Sequence, residues 1–267
     1  MGQGLDLAIA PAALQKLMLE GPEDELTATV NAQPAIYVAS VAALNSIRFP
    51  DDVAFAAGHS VGEYSALTAA GALAFEDGLR LVQARGQLMH EAGTDTPGGM
   101  LAVLGVEDSA IDEACASVAP LVVCAANYNA PGQIIVSGEE RGLEAVTEAL
   151  KARGAKRVLR LNVSAAFHSP VMAESAAKLR EAIDKVPIKA PQWPVIGNVS
   201  AKPLSTEAEI REELAQQIAA PVRWEASIRT MLAQGVTRFA EIGPGKVLTG
   251  LLKRIAPEAE VLSIGEN

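Results

Sequence analysis

Short runs rich in Val, Ile and Ala alternate with longer segments whose apolar residues recur at helical spacing, a rhythm that predicts an α/β fold. The run over 53–58 (VAFAAG) reads as a buried strand and leads straight into an Ala-rich helix over 60–70. A second helix is predicted over 76–92, where Leu79, Leu81, Val82 and Leu88 fall on one side. The turn-forming stretch Thr94-Asp-Thr-Pro-Gly-Gly99 closes this block.

The next stretch has a different pattern. Strands are predicted over 100–105, 121–126, 133–137 and 156–163, with helices over 109–117 and 139–153. The order βαββαβ is that of a ferredoxin-like unit. It is expected to form a subdomain over 98–163, inserted into a larger α/β core made of 1–97 and 164–267. Beyond it the pattern predicts a helix over 170–186, a strand over 195–198 and helices over 207–219 and 224–235. A strand over 237–242, a helix over 246–255 and a last strand over 260–264 follow.

Composition narrows the function classes. Of 267 residues, 49% are hydrophobic and 20% charged, which suits a packed core rather than a disordered chain. The net charge of −10 argues against nucleic acid or an anionic membrane as the main partner. Two cysteines, Cys115 and Cys124, and three histidines argue against a disulfide framework or a Cys/His metal cluster. No apolar run reaches the ~18 residues of a membrane span, and a soluble, cytoplasmic protein is expected.

The chemistry concentrates at Gly58-His59-Ser60-Val61-Gly62, a G-x-S-x-G string between a predicted strand and a predicted helix. A sharp strand-to-helix bend exposes a serine hydroxyl, and the flanking glycines let the backbone close up. The Val61 N–H then lies at a helix start, where it can donate to a developing oxyanion. A nucleophilic Ser60 needs a base. His59 is adjacent, and side chains diverge on a tight turn, so it is a poor choice. His90 sits in a helix and reads as a surface histidine. His168, in Ala166-Phe167-His168-Ser169-Pro170, follows a strand and a small-residue loop, where it is either the base or a structurally satisfied histidine.

The string Gly58-His-Ser-Val-Gly-Glu-Tyr-Ser65, the pair Arg85-Gly86 and the stretch Asn127-Tyr-Asn-Ala-Pro-Gly-Gln133 together resemble the malonyl-CoA:acyl carrier protein transacylase family. Ala166-Phe-His168, Pro221-Val-Arg-Trp224 and Glu241-Ile-Gly-Pro-Gly-Lys-Val-Leu248 extend the resemblance from about Glu20 to Ile255. It implies a hydrolase-like three-layer core carrying an inserted ferredoxin-like subdomain. It also implies an acyltransferase whose substrates are malonyl-CoA and the phosphopantetheinylated acyl carrier protein, with no further cofactor and no metal. By the same resemblance Ser60 carries the acyl group and His168 acts first as base and then as acid. Arg85 would grip the malonyl carboxylate, since a guanidinium holds a carboxylate through two parallel hydrogen bonds. Read without the family, Arg85 is an ordinary helix-face charge near Asp77 and Glu91. The main-chain carbonyl of Gln217 would orient the histidine, and His59 and Asn129 would border the acyl pocket, although Asn129 before Ala-Pro-Gly is an equally natural turn residue. Phe167 resembles the malonyl-selective form of its loop.

The opening departs from the family, whose members begin with an apolar strand running into Gly-Gln-Gly-Ser-Gln. Here Met1 is followed at once by Gly2-Gln3-Gly4, and Gly21-Pro-Glu-Asp-Glu-Leu26 arrives early. The expectation is a shortened N-terminus with neighbouring strands left unpaired. Gln3 is either a remnant of the second oxyanion donor or a coincidence, and loss of that donor costs ~10²–10³ in rate. Two other functions compete: a serine hydrolase or thioesterase on the same bend, and a silent module that only binds the carrier protein. An acidic carrier needs a basic landing surface, for which Lys151, Arg153, Lys156, Arg157 and Arg160 are the first candidates, with Lys246, Lys253 and Arg254 on the last helix as a second group.

Overall fold

The computed structural model describes residues 6–50, 52–163 and 165–265. Three helices come first: α1 (Ala12–Glu20), α2 (Glu23–Thr27) and α3 (Thr29–Asn45). A two-residue strand β1 (Ala56–Ala57) precedes α4 (Gly62–Ala69) and the long α5 (Phe75–Asp95). Then come β2 (Gly98–Leu104), α6 (Asp108–Ser117), β3 (Val123–Ala130), β4 (Gln133–Glu139), α7 (Glu140–Ala152) and β5 (Arg157–Arg160). The remainder is α8 (Ala173–Ile183), β6 (Val195–Ile196), β7 (Pro203–Leu204), α9 (Glu207–Gln217), α10 (Trp224–Ala233), β8 (Arg238–Ile242), α11 (Val247–Ile255) and β9 (Glu260–Ile264).

The βαββαβ unit folds as expected. Its four strands are antiparallel in the order β3-β4-β2-β5, the ferredoxin-like arrangement. Leu101, Val103, Ile134 and Val136 from the sheet and Ile111, Leu143, Val146 and Leu150 from α6 and α7 make a core of its own. The amphipathic pattern of α7 explains this: Leu143, Val146 and Leu150 recur at spacings of three and four and are all buried.

Around it the α/β core divides. The order β1-β6-β7 forms one sheet, with β1 and β6 parallel, and β8 pairs in parallel with β9 in another. The strand expected over 53–58 contributes only the two-residue ladder of β1, and β7 has no counterpart in the sequence pattern. Among the described residues β1 and β8 each pair along one edge only. The largest core cluster joins Tyr37, Val38 and Val41 of α3, Tyr64 and Leu67 of α4, Leu79, Leu81 and Val82 of α5, and Leu179 and Ile183 of α8. The helix expected over 170–186 opens with a separate 3₁₀ turn at Pro170–Met172. No helix among the described residues is long and apolar enough to cross a membrane.

Candidate active site

The bend after β1 explains the first glycine of the Gly-x-Ser-x-Gly string and the turn at the serine, while Gly62 has open space around it. Ser60 has φ of 52°, a left-handed conformation costing a non-glycine residue about 1–2 kcal/mol, and it turns the chain from strand to helix. Gly58 has no room for a side chain, because a Cβ there would lie 2.0 Å from the carbonyl carbon of Gly62. The Val61 N–H, just before α4, donates to no acceptor among the described residues and is therefore available to a ligand oxygen.

His168 arrives from the loop before the 3₁₀ turn, also left-handed with φ of 55° and almost fully buried. Its Nε2 lies 2.8 Å from Ser60 Oγ. On the other side Nδ1 faces only carbonyl oxygens, Gln217 at 2.9 Å and Ala220 at 3.2 Å. Carbonyls only accept, so Nδ1 carries the proton, and Nε2 presents a lone pair to the serine hydroxyl. Main-chain carbonyls thus orient the imidazole without a carboxylate. The imidazole meets the serine on one side and main-chain carbonyls on the other.

Burial, reinforced by the positive charge of Arg85, lowers the His168 pKa to about 3 from an ordinary 6.5. The ring is neutral and ready to accept a proton well below neutrality. The sign for stability follows. The unfolded imidazole binds a proton below 6.5 and the folded one does not until about 3, so this group's contribution is complete above 6.5 and drains as pH falls between those values. An NMR titration is expected to leave the His168 ring resonances unshifted down to about pH 4.5, and a shift centred near 6.5 would refute the buried, neutral assignment.

Arg85 is not the exposed helix charge that Asp77 and Glu91 suggested. It is 1% exposed, with no carboxylate in ion-pair range among the described residues. Its Nη2 donates to Ser60 Oγ at 2.8 Å and to Gln217 Oε1 at 3.0 Å, and its Nη1 to Gln33 Oε1. Its Nε, also buried, has no partner. Tyr64 lies under the guanidinium, 6.0 Å from it to the ring centre. Ser60 Oγ can therefore accept from Arg85 while donating to His168.

The other residues singled out in the sequence divide. His59 Nε2 bonds Asn129 Oδ1 at 2.8 Å, and the His59 ring leans on Trp224 at 5.6 Å. That acceptor takes the Nε2 proton, and burial lowers the His59 pKa, so this neutral ring is tied away from the serine. Asn129 lies in β3 and is tied to His59 by that bond. Phe167 packs in the largest core cluster. His90 is exposed on α5. Gln3 lies outside the described residues. Four contributors escaped sequence reasoning: the side chains of Gln33, Glu63 and Asn198, and the carboxamide of Gln217, whose Nε2 bonds Ser60 O at 2.9 Å and also Glu63 Oε2. Glu63 was visible as a carboxylate on an otherwise small, apolar helix, a signal of buried polarity.

The first basic group is exposed, but three of its members have local partners: Lys151 with Glu148, Arg153 with Glu113 and Arg160 with Glu140. Such surface pairs are weak, about 0–1 kcal/mol, and exchange readily for an incoming anion.

Comparison with known proteins gives the family. The acyl transferase domain model matches residues 5–263. A malonyl CoA-acyl carrier protein transacylase of Bacillus subtilis is 44% identical over 259 residues, covering 95% of this chain and 81% of the relative. The crystal structure of an acyl carrier protein S-malonyltransferase from Vibrio cholerae superposes with a TM-score of 0.89 at 40% identity, covering 95% of this chain and 84% of that one. A malonyl-transacylase solved in complex with its type II polyketide acyl-carrier protein gives a TM-score of 0.91 at 40% identity, covering 95% and 83%. With a match across nearly its whole length and this identity to relatives that it largely covers, the chain belongs to the acyl transferase domain family.

Proposed function

We propose that this protein transfers a malonyl group from malonyl-CoA to the phosphopantetheine thiol of acyl carrier protein through a malonyl ester on Ser60. The observation that carries the reading is Arg85, a buried guanidinium beside the serine with an unpartnered Nε and, among the described residues, no carboxylate within ion-pair distance, the nearby Glu63 reaching it only through Gln217. A buried charge without a direct ion-pair partner is costly, and an acyl group that brings its own carboxylate supplies one. An acetyl group brings none.

In the first half-reaction Ser60 Oγ attacks the thioester carbon while its proton passes to His168 Nε2, 2.8 Å away. The carbonyl π electrons move to oxygen, and the Val61 N–H stabilises the charge formed there. Collapse of this intermediate breaks the carbon–sulfur bond, and His168 returns the proton to the departing CoA thiolate. In the second half the carrier's thiol gives its proton to His168, attacks the ester and expels Ser60, which recovers the proton. Gln217 O and Ala220 O hold the imidazolium in each half. Arg85 can release Ser60 Oγ to grip the malonyl carboxylate as the thioester enters, and hold it through the ester intermediate. The cycle uses the two substrates alone, and the same reading places it in the cytoplasm.

The same reading assigns 98–163 as an inserted subdomain on the core formed by 1–97 and 164–267. It makes the basic group at the end of α7, in the following turn and on β5 the landing surface for the acidic carrier. Reversing charge at Arg153 and Lys156 together is then expected to raise the KM for carrier protein about 5- to 10-fold and to leave the KM for malonyl-CoA unchanged. Equal changes in both would remove the assignment.

Transfer itself is checked by incubating the protein with malonyl-CoA and phosphopantetheinylated carrier protein and following both thioesters. Malonyl-carrier should accumulate in step with CoA. Release of free malonate without carrier would instead favour a thioesterase.

A further inference from the structure

Behind the bend lies a buried polar assembly that the transfer steps do not use. Asn198 follows β6 and is 1% exposed. Its Oδ1 accepts from Ser60 N at 2.7 Å, and its Nδ2 donates to Gly58 O at 2.7 Å. One carboxamide therefore grips both arms of the bend. The orientation of the amide is fixed by chemistry, since a backbone N–H must meet oxygen and a carbonyl must meet the NH₂.

Asn198 is itself fastened on both sides. Its N–H donates to Glu63 Oε1 at 3.1 Å, and its carbonyl accepts from Arg223 N at 2.8 Å. The next two amides, Val199 N and Ser200 N, turn to the carboxylate of Glu213 on α9. Gly197 leaves room for it, because a Cβ there would lie 2.5 Å from Glu213 Oε2. Two buried glutamates thus take three successive backbone N–H groups and freeze the turn that presents Asn198. Burial and the nearby Glu213 push the Glu63 pKa up, so this is a costly arrangement to keep without a purpose.

The purpose is geometric. Ser60 sits in a left-handed conformation from which it can relax. The clamp on Ser60 N, with Gln217 Nε2 on Ser60 O, removes that freedom. It also consumes the Ser60 N–H and leaves the Val61 N–H as the donor at the bend.

Resting on the transfer function above, we propose that Asn198, seated by Glu63, is a positioning residue that holds Ser60 in its strained conformation with Oγ aimed at His168 Nε2. It touches no substrate. Its loss should slow formation of the malonyl ester without weakening substrate binding.

The test is single-turnover acylation by malonyl-CoA, followed by intact mass, which reads both the rate and the final number of malonyl groups per chain. Asn198→Ala is expected to react roughly 10- to 100-fold more slowly, to reach the same final stoichiometry as the unsubstituted protein, and to show an unchanged concentration dependence on malonyl-CoA. A merely structural residue would give fewer reactive chains at the normal rate, and that result overturns the proposal, as does an unaltered rate with full stoichiometry. Should Asn198→Ala not fold, Asn198→Asp preserves volume and the acceptor for Ser60 N but loses the donor to Gly58 O. It is expected to slow acylation about tenfold, and a normal rate would count equally against the clamp. If the unsubstituted protein forms no adduct, the transfer function fails first and the clamp falls with it. Adduct on the unsubstituted chain with no effect in either variant removes the clamp alone.

Discussion

Ser60→Ala is expected to lower malonyl transfer by at least ~10⁴-fold, with the fold intact. Among the described residues the hydroxyl is the only group within bonding distance of His168 Nε2, and it also accepts from Arg85. Removing it leaves an imidazole with nothing to deprotonate and a guanidinium with one acceptor fewer. The serine is only partly buried, so no large cavity forms and the cost in stability is small. A steady-state assay with phosphopantetheinylated carrier checks the rate, and thermal unfolding checks the fold. Transfer at more than a few per cent of the original rate would show that another group receives the acyl chain.

The second large effect is expected at Arg85. Arg85→Ala should lower kcat/KM for malonyl-CoA by about 10³-fold, since losing one partner of a desolvated charge pair costs roughly 3–5 kcal/mol. Acetyl transfer tells whether this is selectivity or general damage, because Arg85 also touches Ser60 Oγ in the resting site. The acetyl-CoA rate should change by less than about tenfold, so that preference for malonyl over acetyl collapses. Arg85→Lys should recover only part of the loss, for an ammonium supplies the charge but not the planar fork. Equal losses for both substrates would assign Arg85 to holding the serine and leave the carboxylate without a receptor.

Much of this was legible from residues alone, for identifiable reasons. The βαββαβ unit announces itself because strands and helices alternate at short range and each buries one face, so local pattern and tertiary fate agree. The bend is legible because close approach of the chain imposes glycine at 58, just before the left-handed Ser60, whereas Gly62 has open space around it. Helix α3 is silent by periodicity: it is apolar nearly all round and carries Pro34 inside, since it lies buried between neighbours rather than half in water. The strand over 53–58 reads longer than it is because apolar sequence registers burial but not which edges find partners. Arg85 taken alone looked like a surface charge, and only the packing of α3, α4 and α9 around it shows that it is enclosed. The contact between Asn198 and Glu63 is hidden for a related reason: Asn198 lies 138 positions from Ser60, and Glu63 lies 135 from Asn198. Such a polar network is written in the fold and not in any local string.

The central claim is that one serine hydroxyl, one imidazole and one buried guanidinium act together on a malonyl thioester. The most direct measurement is to mix the protein with malonyl-CoA alone, isolate it, locate the modification by peptide mass, and then add phosphopantetheinylated carrier protein. A single malonyl group on Ser60, absent in Ser60→Ala and passed quantitatively to the carrier thiol, is the predicted result. A malonyl group found elsewhere, or one on Ser60 that water removes and the carrier cannot, would contradict it.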